Sequence, residues 1–152
     1  MARQSAGLIM YRFREGEPEF LLVHPGGPFW AKKDLGAWSV PKGEYDEGED
    51  PLQVAQREFR EETGLEARGP FLELTGIRQP GGKRVKCWGF PGDCDPTRLT
   101  SNTFTIEWPP RSGRQTSFPE VDRAEWFSLR RLREKILPGQ LPLVEELAAL
   151  LK

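Results

Sequence analysis

Apolar and polar positions follow a period of two over residues 5–14, SAGLIMYRFR, with Leu8 and Met10 on one face and Gly7, Ile9, Tyr11 and Phe13 on the other. That period predicts a strand. A turn over Glu15-Gly16-Glu17-Pro18 leads to a second apolar run, Glu19 to His24, so the two strands form a hairpin. The pattern then breaks over Pro25 to Gly36, a long Pro/Gly-rich loop carrying Phe29, Trp30, Lys32 and Lys33. Ala37 to Val40 reads as a short strand ending in Pro41-Lys42-Gly43.

From Pro51 to Thr63 the period lengthens. Leu52, Ala55 and Phe59 fall on one helical stripe, which predicts a helix packed on the sheet. Asp50 is placed to cap it, Pro51 suits its first position and Gly64 its end. Strands are predicted over 70–79 and 83–90, joined by Pro80-Gly81-Gly82. Asp93 to Thr103 reads as a loop, 102–108 as a strand, 109–119 as a loop and 124–128 as a last short strand. Leu129 to Leu137 suits a helix stopped by Pro138-Gly139. Leu143 to Leu151 gives a final amphipathic helix with Leu143, Val144, Leu147, Leu150 and Leu151 on its apolar stripe.

At 152 residues the chain is expected to be one domain, long enough to bury a core without disulfides. A net charge of −1 gives no global electrostatic case for nucleic acid. Two cysteines without a CxxC spacing and a single histidine, His24, do not make a zinc site. His24 ends a strand, where packing at the boundary is the expected role. No signal peptide and no apolar run near membrane-spanning length occur, so a soluble, reduced, cytoplasmic protein is expected, with no membrane partner. The chemistry must come from carboxylates, lysines, arginines or a metal. The oligomeric state is open.

Glu58, Glu61 and Glu62 sit three and four residues apart on the predicted helix. Each residue turns about 100°, so all three project within an arc of roughly 100°, beside the apolar stripe rather than opposite it. Like charges at this spacing oppose a helix by a few tenths of a kcal/mol per pair. Such crowding points to a cation held against them, and an all-oxygen donor set suits Mg2+ or Mn2+. Arg57 is four residues before Glu61 and is expected to pair with it.

The residues at 43–65 fit the pattern G-x5-E-x7-R-E-U-x-E-E-x-G-U, with U a bulky apolar residue. Gly43, Glu49, Arg57, Glu58, Phe59, Glu61, Glu62, Gly64 and Leu65 occupy the defined positions. This stretch resembles the Nudix box. A chance match has odds on the order of one in a million at average residue usage. Phe59 stands where the family more often has an aliphatic side chain. The resemblance implies an α+β (α/β/α) fold, a mixed β-sheet sandwiched between helices, with the box as loop–helix–loop. It implies a metal-dependent pyrophosphohydrolase acting on a small-molecule nucleotide, or alternatively a binding-only relative. It implies Glu58, Glu61 and Glu62 as metal ligands, with Gly43 offering its carbonyl, Arg57 orienting an acid and Glu49 supporting the loop. Glu120, in PEVDRAEWF, is expected to add a further ligand or the base, with Glu107 as its competitor and Glu58 as the other base. Upstream, WSVPKG resembles the lead-in of diadenosine and diphosphoinositol polyphosphate hydrolases. Lys42, Trp38 and Arg78 are the expected substrate-binding residues. Downstream marks conflict: Gly82 stands where diadenosine polyphosphate enzymes often carry tyrosine, and Pro80 where ADP-ribose enzymes often carry proline. The nucleotide stays open.

Overall fold

Strand β1, Gln4–Arg14, buries Ala6, Leu8 and Met10 on one face and Ser5, Gly7 and Ile9 on the other. It is therefore covered on both sides, which explains the unbroken buried run from Ser5 to Met10. The coordinates are a computed structural model, and the structure describes residues 3–78 and 82–152. The expected Pro80-Gly81 turn and its proline lie outside the described residues.

The other strands are β2 Glu17–Pro25, β3 Lys42–Tyr45, β4 Leu72–Glu73, β5 Ile77–Arg78, β6 Arg84–Pro91, β7 Thr103–Glu107, β8 Gln115–Pro119 and β9 Val121–Ser128. The main sheet runs β4-β6-β1-β2-β9. β1 and β6 are parallel, pairing Gln4 with Arg84 through Tyr11 with Pro91; the remaining pairs are antiparallel, so the sheet is mixed. β3 pairs with the first half of β1, Ala6 opposite Gly43, and β2 with the second half, Tyr11 opposite Phe20. That split brings the chain entering the box onto the sheet beside β1.

Helix α1, Pro51–Thr63, packs its Val54, Ala55 and Phe59 on one face of the sheet, against Leu8, Leu21, Phe90 and Trp126. Phe59 meets Phe90 edge to face at 5.2 Å. The opposite face is covered by α2, Leu129–Lys135, and α3, Leu141–Leu150, whose Leu132, Leu143, Val144 and Leu147 meet Ile9, Phe20, Leu22 and Phe127. This is the α/β/α sandwich that the resemblance implied.

Four local expectations change. Residues 37–40 form only isolated bridges, Val23 to Ser39 and Trp38 to Ile136, because the segment runs from the sheet rim to α2. The strand over 70–79 is broken into β4 and β5 by Gly76, whose φ of +88° is left-handed. The loop over 109–119 holds β8, which pairs with β7 as a separate hairpin, Phe104 opposite Phe118. The last strand starts at Val121, not at Ala124.

Candidate active site

α1 carries the acids and its ends are fixed. The Asp50 side chain accepts from the Gln53 amide at 3.3 Å, Pro51 opens the helix, and Gly64, at φ +78°, donates its N–H to the Arg60 carbonyl at 2.7 Å. Thr63 is buried and donates to the Phe59 carbonyl at 2.6 Å while accepting from the Leu65 amide. With Val54, Ala55 and Phe59 locked on the sheet, Glu58, Glu61 and Glu62 stand half-buried at its rim.

Gly43 lies directly over Glu58. A Cβ built on Gly43 would sit 2.1 Å from the Glu58 Cδ and 2.4 Å from its Oε1. Only a residue without a side chain leaves that carboxylate its place. Next to it, Lys42 is partly buried. Burial lowers the pKa of its ammonium, and so does the neighbouring Lys83, while Glu62 acts the other way.

Four carboxyls influence one another here. Glu58 is raised above the usual range by burial and then by Glu61, with Arg57 opposing and Glu120 adding to the rise. Glu62 is pushed up to about 9 by burial first, then by Glu58 and Glu120, with Lys42 opposing. Glu120 is raised by burial and by Glu61. A carboxylate crowded by others prefers its neutral form; a cation among them reverses that preference. Among the described residues, no three acidic, imidazole or thiol groups converge as a ligand cluster. An all-oxygen donor set, a backbone free to approach and mutual repulsion together fit a hard divalent cation.

The sequence-predicted residues sort clearly. Glu58, Glu61, Glu62, Gly43, Lys42 and Glu120 are brought together. Glu107 is not: its carboxylate accepts the Arg111 amide at 2.7 Å inside the β7–β8 turn. Arg57 does not pair with Glu61. Its guanidinium lies 3.5 Å from Glu49 and 3.8 Å from Glu58. Arginine four residues ahead of the acid is the poorer order on a helix, and Arg57 turns to Glu49 in the preceding loop instead. Glu49 also accepts the Asp46 amide at 2.8 Å, so it closes the loop ahead of α1.

Trp38 is a correction. It is 1% exposed, wedged between His24 and Phe127, and its indole N–H donates to Asp34 at 2.8 Å. A ring enclosed in this way has no face to offer a substrate. Arg78 is exposed on β5 opposite Arg84, and no ion pair or side-chain hydrogen bond among the described residues joins it to the acids.

Sequence reasoning missed the brace that places Glu120. The Gly26 amide donates to the Glu120 carbonyl at 2.8 Å, and the Glu120 amide donates to Asn102 at 2.8 Å. His24 is fully buried, with Nδ1 2.7 Å from the Asp122 carboxylate and Nε2 2.6 Å from the Lys33 carbonyl. It ties the 25–36 loop to the segment that carries Glu120. The aspartate two residues past Glu120 was the only signal in the sequence. Beside Glu62 a cleft of about 550 Å³ opens, lined by Pro96, Leu99, Ser101, Val121 and Asp122.

A family model described as NUDIX domain matches residues 1–147. The chain belongs to the Nudix family. An RNA pyrophosphohydrolase of Rhizobium meliloti is 32% identical over 127 residues, covering 74% of this chain and 71% of that protein. A bis(5'-nucleosyl)-tetraphosphatase of Mus musculus is 40% identical over 100 residues, covering 58% of this chain and 64% of that protein. An Ap4A hydrolase structure from C. elegans superposes with a TM-score of 0.65 at 24% identity, covering 99% of this chain and 98% of that one. The last likeness is one of Nudix fold alone. No helix among the described residues is long and apolar enough to cross a membrane.

Proposed function

We propose that this Nudix protein hydrolyses the phosphoanhydride of a nucleotide, splitting a nucleoside phosphate from a further phosphate-linked group. The observation that carries this is the meeting of Glu58, Glu61, Glu62 and Glu120 beside Gly43 and Lys42, drawn from α1, β3 and the end of the β7–β8 hairpin. Glu58, Glu61, Glu62 and Glu120, with the Gly43 carbonyl, would hold Mg2+ or Mn2+. Bound there, the cation would neutralise the phosphates and make the attacking water more acidic. Lys42, its ammonium partly desolvated, pairs with a phosphate oxygen. Arg57 holds Glu58 and Glu49 in place from the outer side. Glu58 or Glu120 accepts the proton of the water as its oxygen attacks phosphorus in line with the leaving phosphate. The relatives named above are an RNA pyrophosphohydrolase and a bis(5'-nucleosyl)-tetraphosphatase, and the cleft beside Glu62 has the volume for one nucleoside.

The test is product release from a nucleotide panel in Mg2+ and in Mn2+, with wild type beside Glu61→Gln. Turnover that the variant loses supports the hydrolase. Tight nucleotide binding without turnover in either metal would make this a binding protein instead.

A further inference from the structure

Hairpin β7–β8 stands apart from the main sheet and shows one apolar face, Phe104, Ile106, Trp108 and Phe118, half-buried in alternation with exposed polar residues. An isolated hairpin of this kind is marginal in water without something against that face. The 25–36 loop supplies the something. The Phe104 ring lies on Gly27, where a Cβ would come within 2.8 Å of its Cζ, and Phe29 meets Trp108 edge to face at 5.5 Å. Phe29 nevertheless stays 66% exposed, so one face of its ring is unused.

Around it positive charge predominates. Lys32, Lys33, Arg111 and Arg114 are exposed on the loop and on the hairpin tip. Of the two acids there, Asp34 is engaged by Lys135 and Trp38, and Glu107 by the Arg111 amide. Lys33 holds its ammonium 5.1 Å from the centre of the Trp30 ring. Loop and hairpin together form a flap rooted at Glu120: Asn102 and Glu120 close the hairpin's base, and Gly26 bonds the Glu120 carbonyl. On one side of that root Ser101 and Val121 line the cleft beside Glu62; on the other the aromatic face begins at Phe104 and Phe118.

A mononucleoside polyphosphate ends after its phosphates and has nothing to place on an aromatic ring there. We infer that Phe29, backed by Trp108, is a second base-stacking platform and that the substrate is a dinucleoside polyphosphate. One nucleoside occupies the cleft, the phosphates cross the acids, and the second base lies on the flap among its four cations. This rests on the hydrolase reading above.

KM and kcat for diadenosine tetraphosphate and for ATP test it in wild type, Phe29→Ala and Phe29→Tyr. An exposed side chain at position 29 makes misfolding of either variant a remote concern, and circular dichroism checks it. Stacking on an aromatic ring accounts for on the order of tenfold in affinity per base. Phe29→Ala is expected to raise KM for the dinucleotide about tenfold while kcat and the ATP KM stay within about twofold, and Phe29→Tyr to restore wild-type values. An unchanged dinucleotide KM, or equal shifts for both substrates, would overturn the inference. Calorimetric binding of a methylene-bridged diadenosine tetraphosphate reads the same platform without turnover, so loss of stacking and loss of catalysis are distinguished. A 5'-triphosphorylated oligoribonucleotide is the further arm: a larger effect of Phe29→Ala on it than on the dinucleotide would assign the platform to RNA and overturn the dinucleotide assignment.

Discussion

Replacing Gly43 by alanine should separate activity from stability. The new Cβ would stand 2.1 Å from the Glu58 Cδ, so to reach ordinary contact near 3.4 Å the carboxylate carbon must retreat by about 1.3 Å. The clash falls on the far end of a flexible side chain, and Glu58 can turn away without moving backbone. Gly43 does not have a positive φ, so alanine fits its β3 conformation. Loss of glycine freedom in the unfolded chain should even stabilise by about 0.4–1 kcal/mol. The cost falls on the site, because displacing a reacting group by about 1 Å lowers turnover on the order of 10²-fold. The assays are steady-state turnover in saturating Mg2+ and thermal melting of the metal-free protein. Turnover within threefold of wild type, with an unchanged fold, would refute the placement of Glu58 as a working ligand or base. A fall in Tm of more than a few degrees would show instead that the glycine serves the sheet.

Further outcomes follow from the same geometry. Mg2+ or Mn2+ should raise the Tm of wild type, by the equivalent of about 2.7 kcal/mol at a hundred times the dissociation constant, and Glu62→Gln should remove most of that increment in a melting titration. Glu120→Gln should lower turnover on the order of 10²-fold, whereas Glu107→Gln, which only loosens the hairpin turn, should leave it within about threefold. Asp34 is held below the usual carboxylate range by Lys135 first and then by the Trp38 N–H. It therefore stabilises the fold above its unfolded pKa, and that contribution is lost as pH falls through its lowered folded value. Asp34→Asn should cost under about 1 kcal/mol at pH 7, the carboxylate being half exposed, and the gap to wild type in urea melts should close in acid.

The box was legible because its chemistry is local. An N-cap, a first-position proline, a C-terminal glycine and acids at helical spacing lie within one stretch, and the cap, the proline and the glycine take their expected places. The sandwich was legible for the same reason in β1, β2, α1 and α3, whose periods are regular. What the sequence hid depends on partners far along the chain. Trp38 looks like part of a lead-in motif, yet its backbone bridge to Ile136 and its Asp34 acceptor turn it into the core. β8 is hidden because QTSFP has no strand period without Phe104 and Thr116's partner Ile106 opposite it. The Arg57 partner was misread because spacing on a helix allows Glu61 but cannot weigh it against Glu49, folded back from the preceding loop.

The close approach at Gly26 sets a rule for how this protein can change. A Cβ there would come within 2.0 Å of the Pro119 carbonyl oxygen, and its amide already bonds the next carbonyl, that of Glu120. The 25–36 loop and the hairpin are thus joined at their roots, and toward their tips they meet only through side chains, Phe29 against Trp108. Residues 28–32 and 108–114 can be exchanged, lengthened or redrawn as a set without disturbing where Glu120 stands. A search for altered substrate preference should randomise those two tips together and leave positions 26 and 119–122 alone.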